Sequence, residues 1–149
     1  MFKKILVALD GSSFSKNALH VAVDEARVRN AELHALYVVH HVVTHNMIYD
    51  GGVSSPEGKV NAYHEIMEDE AKIILSHAEE VASDEGVDII THSMIGDPRD
   101  VILDFSEEIK ADLIIVGSSG KSSLDRFFLG SVSSSVVENS AITTIIVRN

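Results

Sequence analysis

The sequence predicts an α/β fold, an open parallel β-sheet with helices on both faces, in one domain over residues 1–149. Short apolar runs alternate with stretches of helical periodicity along the whole chain, in the order βαβαβαβαβ. The runs are continuously apolar, as expected of strands buried on both faces and joined by right-handed crossovers. Neither an internal repeat nor a linker-like change in composition divides the chain.

Residues 5–9 form the first apolar run, closed by Asp10-Gly11. Ser12, Ser13 and Ser15 then offer N-caps for a helix over about residues 15–29, with Ala18, Leu19, Ala22, Val23 and Ala26 on its inner face. Residues 32–39 read as the second strand. The polar stretch over about residues 41–57, with Gly51-Gly52 and Pro56, is the longest connection, of a length often found in lids. A helix over about residues 57–85 follows, carrying Val60, Tyr63, Ile66, Met67, Ile74, Ala78 and Val81 on one face, with Gly86 placed for a left-handed C-terminal cap. Residues 87–95 are the third strand, closed by Gly96, and Asp97-Pro98 starts the next helix as N-cap and first-turn proline. Residues 111–116 are the fourth strand. A short helix containing Val132, Val136 and Val137 leads to the fifth, residues 142–147.

The composition is that of an ordinary globular domain, 45% hydrophobic and 23% charged. Cysteine is absent, which excludes disulfides and thiolate zinc sites. The apolar run after Lys3-Lys4 is too short for a secretory signal, and no run approaches membrane-spanning length, so a cytoplasmic protein without a membrane partner is expected. A net charge of −11 disfavours a nucleic-acid partner. It leaves room for one small anion at a locally favourable site. Between Gly117 and Ser135 the charges are Lys121, Asp125 and Arg126, a local net of +1.

In such sheets ligands bind beyond the C-terminal strand ends. Asp10, Val38 to His41, Gly96 and Gly117 should share that edge. The loop after the fourth strand, Val116-Gly117-Ser118-Ser119-Gly120-Lys121-Ser122-Ser123, is rich in glycines and hydroxyls. It runs on to Gly130-Ser131-Val132-Ser133, where a helix begins. Glycines admit a close anion, and a helix start supplies free N–H groups and a positive dipole end. Gly117 is expected to allow a sharp turn, Gly120 a close backbone approach, and the N–H groups of Ser131, Val132 and Ser133 to ligate phosphate. Gly120-Lys121-Ser122 is not a Walker loop, because the position that needs the first glycine holds Ile115. A Gly-x-Gly-x-x-Gly fingerprint after the first strand and a Gly-x-Ser-x-Gly nucleophile elbow are both missing. No catalytic residue is assigned. His40, His41 and His45 lack a ligand-spaced carboxylate or cysteine and do not suggest a metal site; Met67, Met94 and the phenylalanines read as core.

The spacing Gly117-x2-Gly120-x9-Gly130-Ser131 resembles the ATP-binding signature of the universal stress protein family. Ile5 to Ser12, Ser15, Ala18, Leu19, Leu36 to Val39 and Ala111 to Gly117 are similar to other segments of that family, so the resemblance spans essentially the whole chain. It implies a Rossmann-like sheet of order 3-2-1-4-5, akin to the adenine nucleotide alpha hydrolases. It further implies ATP, or ADP or AMP, bound by Ala8, Leu9, Asp10, Val38, Val116, Gly117, Ser119, Gly120, Gly130, Ser131, Val132 and Ser133, with Mg2+ or Mn2+ beside the phosphates. Backbone near Val38 would meet the adenine. Asp10 would lie near ribose and phosphates and help hold the divalent ion; the alternative is an Asx cap on the Asp-Gly-Ser turn.

Many members carry a proline-containing turn before the last strand, where this chain has Glu138-Asn139-Ser140-Ala141. In the family that strand pairs across a dimer two-fold. With Ile142, Ile145, Ile146 and Val147 forming an apolar edge, a homodimer is expected. The function implied is a regulatory ATP-binding homodimer in the stress response, with slow or no hydrolysis. The alternatives are a protein-interaction module of the same fold, or an ATPase or phosphotransferase that uses the 41–57 segment as a lid.

Overall fold

The computed structural model describes residues 1–40, 56–119 and 129–148. Its elements are β1 (Lys4–Leu9), α1 (Ser13–Arg29), β2 (Glu32–His40), α2 (Pro56–Asp84), β3 (Ile89–Gly96), α3 (Pro98–Glu108), β4 (Leu113–Gly117), α4 (Ser131–Asn139) and β5 (Thr143–Val147). The strands pair in parallel in the order β3-β2-β1-β4-β5, which is the expected topology. The order reverses between β1 and β4, so the switch point lies there.

Burial explains why the central strands read as unbroken apolar runs. Ile5, Val7, Leu9, Leu113 and Ile115 pack under α1 and α2. Their neighbours Leu6, Ile114 and Val116 point to the other face, against Ile102, Phe105 and Val136 of α3 and α4. Both helices of the first face meet the sheet through small residues: Ala18, Ala22 and Ala26 on α1, Ala71, Ala78 and Ala82 on α2. The edge strand β3 is only partly covered, which fits its polar run Thr91-His92-Ser93.

Local hydrogen bonds shift several boundaries from their expected positions. Ser12 Oγ accepts the Ser15 N–H at 3.2 Å, so α1 starts at Ser13 rather than residue 15. Gly86 adopts φ +70°, and the Val87 N–H donates to Ala82 O at 2.8 Å. That cap holds Val87 back, and β3 opens at Ile89 rather than Val87. Ala111 is likewise held by its N–H bond to Ser106 O at 2.8 Å, so β4 opens at Leu113 rather than Ala111 and runs on to Gly117. Before β5, the Ile142 N–H donates to Ser140 Oγ at 3.0 Å. A serine hydroxyl therefore shapes the turn in which a proline was the expected family feature, and β5 starts at Thr143 rather than Ile142. The start of α3 matches expectation: Asp97 Oδ1 accepts the Arg99 N–H at 2.9 Å, with Pro98 in the first turn. Among the described residues no helix is long and apolar enough to cross a membrane.

Candidate functional site

The sheet's C-terminal edge brings together the ends of β1, β2, β3 and β4 with the start of α4. At the end of β1 the Asp10 Oδ1 accepts the Ser12 N–H at 2.9 Å, and the Asp10 N–H donates to Ser15 Oγ at 3.3 Å. Gly11, at φ +81°, makes the turn between them. Of the two readings of Asp10, the Asx turn is the one this oxygen serves. Ser15 Oγ in turn donates to Ser12 O, so the whole Asp10–Ser15 corner is internally bonded. Beside it, Tyr37 is 5% exposed and its phenol is pushed up to about 12, first by burial and then by the carboxylate of Glu70. Tyr37 therefore remains a proton donor at any physiological pH.

At the end of β4, Gly117 is the last strand residue, in register with Val147. Its role differs from the sharp turn expected of it. A Cβ at this position would lie 2.8 Å from Phe14 C, 2.8 Å from Phe14 Cβ and 2.9 Å from Phe14 O. Glycine is needed because the first turn of α1 rests on the strand end. Ser118 then ties three elements together. Its N–H donates to Val147 O at 2.8 Å, and its carbonyl accepts the Gly130 N–H at 2.9 Å and Ser133 Oγ at 3.1 Å. These bonds seat the α4 start directly beside the β4 end.

That helix start carries no side-chain cap. Gly130 is the N-cap, with φ −61° and ψ 161°, and no side-chain cap bond forms. In contrast α1 and α3 are capped by Ser12 and Asp97. The N–H groups of Ser131, Val132 and Ser133 precede the first bonded helical donor, the Ser134 N–H to Gly130 O, and have no partner within the helix. Next to them Ser119 is 6% exposed, and its Oγ is a buried hydroxyl without a hydrogen-bond partner among the described residues. A buried polar atom left unpaired is costly unless a ligand satisfies it. The Ser131 side chain is exposed at the helix start, whereas Ser133 Oγ is already committed to Ser118 O and Gly130 O.

Below this edge, Ala8, Val38 and Val116 share an apolar wall with Met94, Val101 and Val132. Leu9 packs instead on the α1/α2 face and is not part of that wall. Met94 and Val101 were not expected here. The parallel register that sets Val38 beside Met94 could have flagged Met94. Val101 enters because Gly96, at φ +154°, lets it close to within 2.7 Å of where a Cβ would stand. Gly120, Lys121, Arg126, His41 and His45, and most of the 41–57 segment, lie outside the described residues. A cleft of about 420 Å³ opens between α2 and β3. Its lining carries Glu68 and Glu79 against Lys72 alone, a net negative charge that does not suit a phosphate.

The geometry suits a phosphorylated ligand: N–H groups without a helical partner at a helix start, a buried hydroxyl unpaired among the described residues next to them, and an apolar wall beneath. The universal stress protein family model matches residues 1–148. The chain is 38% identical over 148 residues to the universal stress protein YxiE of Bacillus subtilis, covering 99% of this chain and all of the relative. Among solved structures, a universal stress protein in complex with cAMP is 26% identical, with a TM-score of 0.67 and coverage of 99% of this chain and 97% of that one. The universal stress protein from Archaeoglobus fulgidus in complex with dAMP is 25% identical, with a TM-score of 0.63 and coverage of 99% and 98%. By fold, site geometry and sequence, this chain belongs to the universal stress protein family.

Proposed function

We propose that the chain binds an adenine nucleotide, ATP or else ADP or AMP, at the β4–α4 edge, and acts as a cytoplasmic regulatory homodimer in the stress response. The observation that carries this reading is the uncapped α4 start beside the buried Ser119 hydroxyl, which has no hydrogen-bond partner among the described residues. The cAMP and dAMP complexes of two structural neighbours of the same fold support it. The phosphates lie against the N–H groups of Ser131, Val132 and Ser133 and the Ser119 hydroxyl. The base lies toward Ala8, Val38 and Val116. Asp10 has one oxygen committed to Ser12, so Mg2+ or Mn2+ is held chiefly by the nucleotide's own phosphates, with Asp10 at most one ligand. Turnover is slow or absent, since that bond also restrains the Asp10 carboxylate as a base for water. Isothermal titration with ATP, ADP, AMP and cAMP, in the presence of magnesium, tests the reading. Saturable binding is expected; no heat at millimolar nucleotide refutes it.

The dimer forms through β5. Among the described strands it pairs with β4 alone, and Ile145 and Ile146 remain partly exposed. An apolar strand edge of this kind recruits a partner unless it is covered. Each copy carries a charge of −11, so the association should tighten as salt screens the repulsion. Light scattering after size exclusion should give a dimer for the parent chain and a folded monomer for Ile145→Lys. A monomeric parent at micromolar concentration would remove β5 as the interface.

A further inference from the structure

On the α3 face, far from the nucleotide edge, Glu32, His34 and His92 form a continuous chain of hydrogen bonds. His34, 6% exposed on β2, has Nε2 2.6 Å from Glu32 Oε1 and Nδ1 2.8 Å from His92 Nε2 on β3. The two rings lie edge to edge and nearly coplanar, their centroids 5.1 Å apart and their planes 13° apart. The other side of His92 meets the Phe105 ring edge-on at 4.6 Å. The charged groups that face the chain are Lys4 of β1, 3.7 Å from Glu32, and Glu108 of α3. We propose that Glu32, His34 and His92 are a proton-sharing relay that makes the β2–β3 pairing a pH-sensitive element.

The tautomers follow from the partners. Ionised Glu32 only accepts, so His34 Nε2 carries a proton. His34 Nδ1 then accepts from His92 Nε2–H, and both neutral rings are Nε2–H tautomers. A first proton, arriving from solvent, adds at His92 Nδ1, while the His92 Nε2 proton passes to His34 Nδ1. The result is a His34 imidazolium between the Glu32 carboxylate and a neutral His92, with both hydrogen bonds kept. A second proton has no such arrangement. It leaves two N–H groups facing one another across 2.8 Å, and the rings must part. One ring stands on β2 and the other on β3, an edge strand paired among the described strands with β2 alone. The second proton therefore loosens β3.

The electrostatics agree with this geometry. Burial and the neighbouring His34 hold His92 below the ordinary histidine range, with Glu108 acting against them. A histidine depressed in the folded state contributes stability fully above its unfolded value of about 6.5, and that stability is lost as pH falls below it. Glu32 is held below the ordinary carboxylate range, first by its hydrogen bond to His34, so its own contribution persists to lower pH.

Ring 15N NMR of the unmodified protein, titrated from about pH 8 to about pH 4.5, tests the relay. The expected result is two coupled steps, with His92 changing from the Nε2–H to the Nδ1–H tautomer as His34 gains charge. Amide exchange in β3, corrected for intrinsic rate, should accelerate about tenfold between about pH 7 and about pH 5, with β1 unmoved. His92→Gln keeps a donor toward His34 but cannot titrate, so the acceleration should vanish. Independent single-step titrations without a tautomer change overturn the relay, as does β3 exchange that ignores pH or a response that survives in His92→Gln.

Discussion

Gly130→Asp is expected to weaken adenine-nucleotide binding by about 100-fold or more while leaving thermal stability no lower than in the parent. The two effects share one cause. The Gly130 backbone lies at φ −61° and ψ 161°, a conformation that any capping residue adopts without strain. An aspartate there would accept the N–H of Val132 or Ser133, as Ser12 and Asp97 accept theirs at α1 and α3. Relative to glycine the cap is worth a few tenths of a kcal/mol, with about 0.3–1 kcal/mol more from the carboxylate at the dipole's positive end. Those same N–H groups are the proposed phosphate ligands. The carboxylate would occupy them and also repel the phosphates, and a loss of about 2.8 kcal/mol is a factor of about 100 in affinity. Gly130→Ser, a neutral cap, should fall between the two. Calorimetric titration beside thermal melts separates the effects. Full affinity in the aspartate variant would mean that the phosphates do not sit at the start of α4.

The sequence made the sheet legible because its central strands are buried on both faces. Ile5 to Leu9 and Leu113 to Val116 leave no polar position, so their apolar runs mark both element type and parallel pairing. Strand ends were less legible, because single backbone bonds decide them. Nothing in the apolar pattern distinguishes Val87 from Ile89, yet the Val87 N–H is taken by Ala82 O and that of Ile89 is not. Within the site, residue type gave location but not role. Asp10 stands where its strand end predicts, but its Oδ1 closes a turn that the Asp-Gly-Ser sequence also encodes. Ser133 is at the helix start with its hydroxyl turned back to Ser118 O. The His34–His92 contact could not be read from the sequence at all. The residues are 58 apart and meet only because β2 and β3 pair in a particular register.

Gly117 shows how a signature glycine can be fixed by packing as well as by a ligand. Among the described residues it is not one of the positive-φ glycines, so alanine meets no conformational barrier there. The barrier is steric. Two of the three atoms that a new Cβ would meet within 2.9 Å are Phe14 backbone atoms, which cannot rotate away. Alpha-1 would have to lift off β4, against a packed layer that includes Ala18, Leu19 and Ile115. Overpacking of this kind typically costs about 1–3 kcal/mol. For a chain of this size that lowers the melting temperature by about 2–12 °C. Gly86→Ala is the matched control: it sits at φ +70° with nothing within 4 Å, so only the backbone penalty of about 1–2 kcal/mol applies. The two variants should differ most in binding. Lifting α1 displaces the Asp10–Ser15 corner along with the β4 end, so Gly117→Ala should lose nucleotide affinity together with stability. Gly86→Ala, at the opposite end of the sheet, should lose stability alone. A Gly117→Ala protein that melts with the parent would show that α1 does not bear on the strand end.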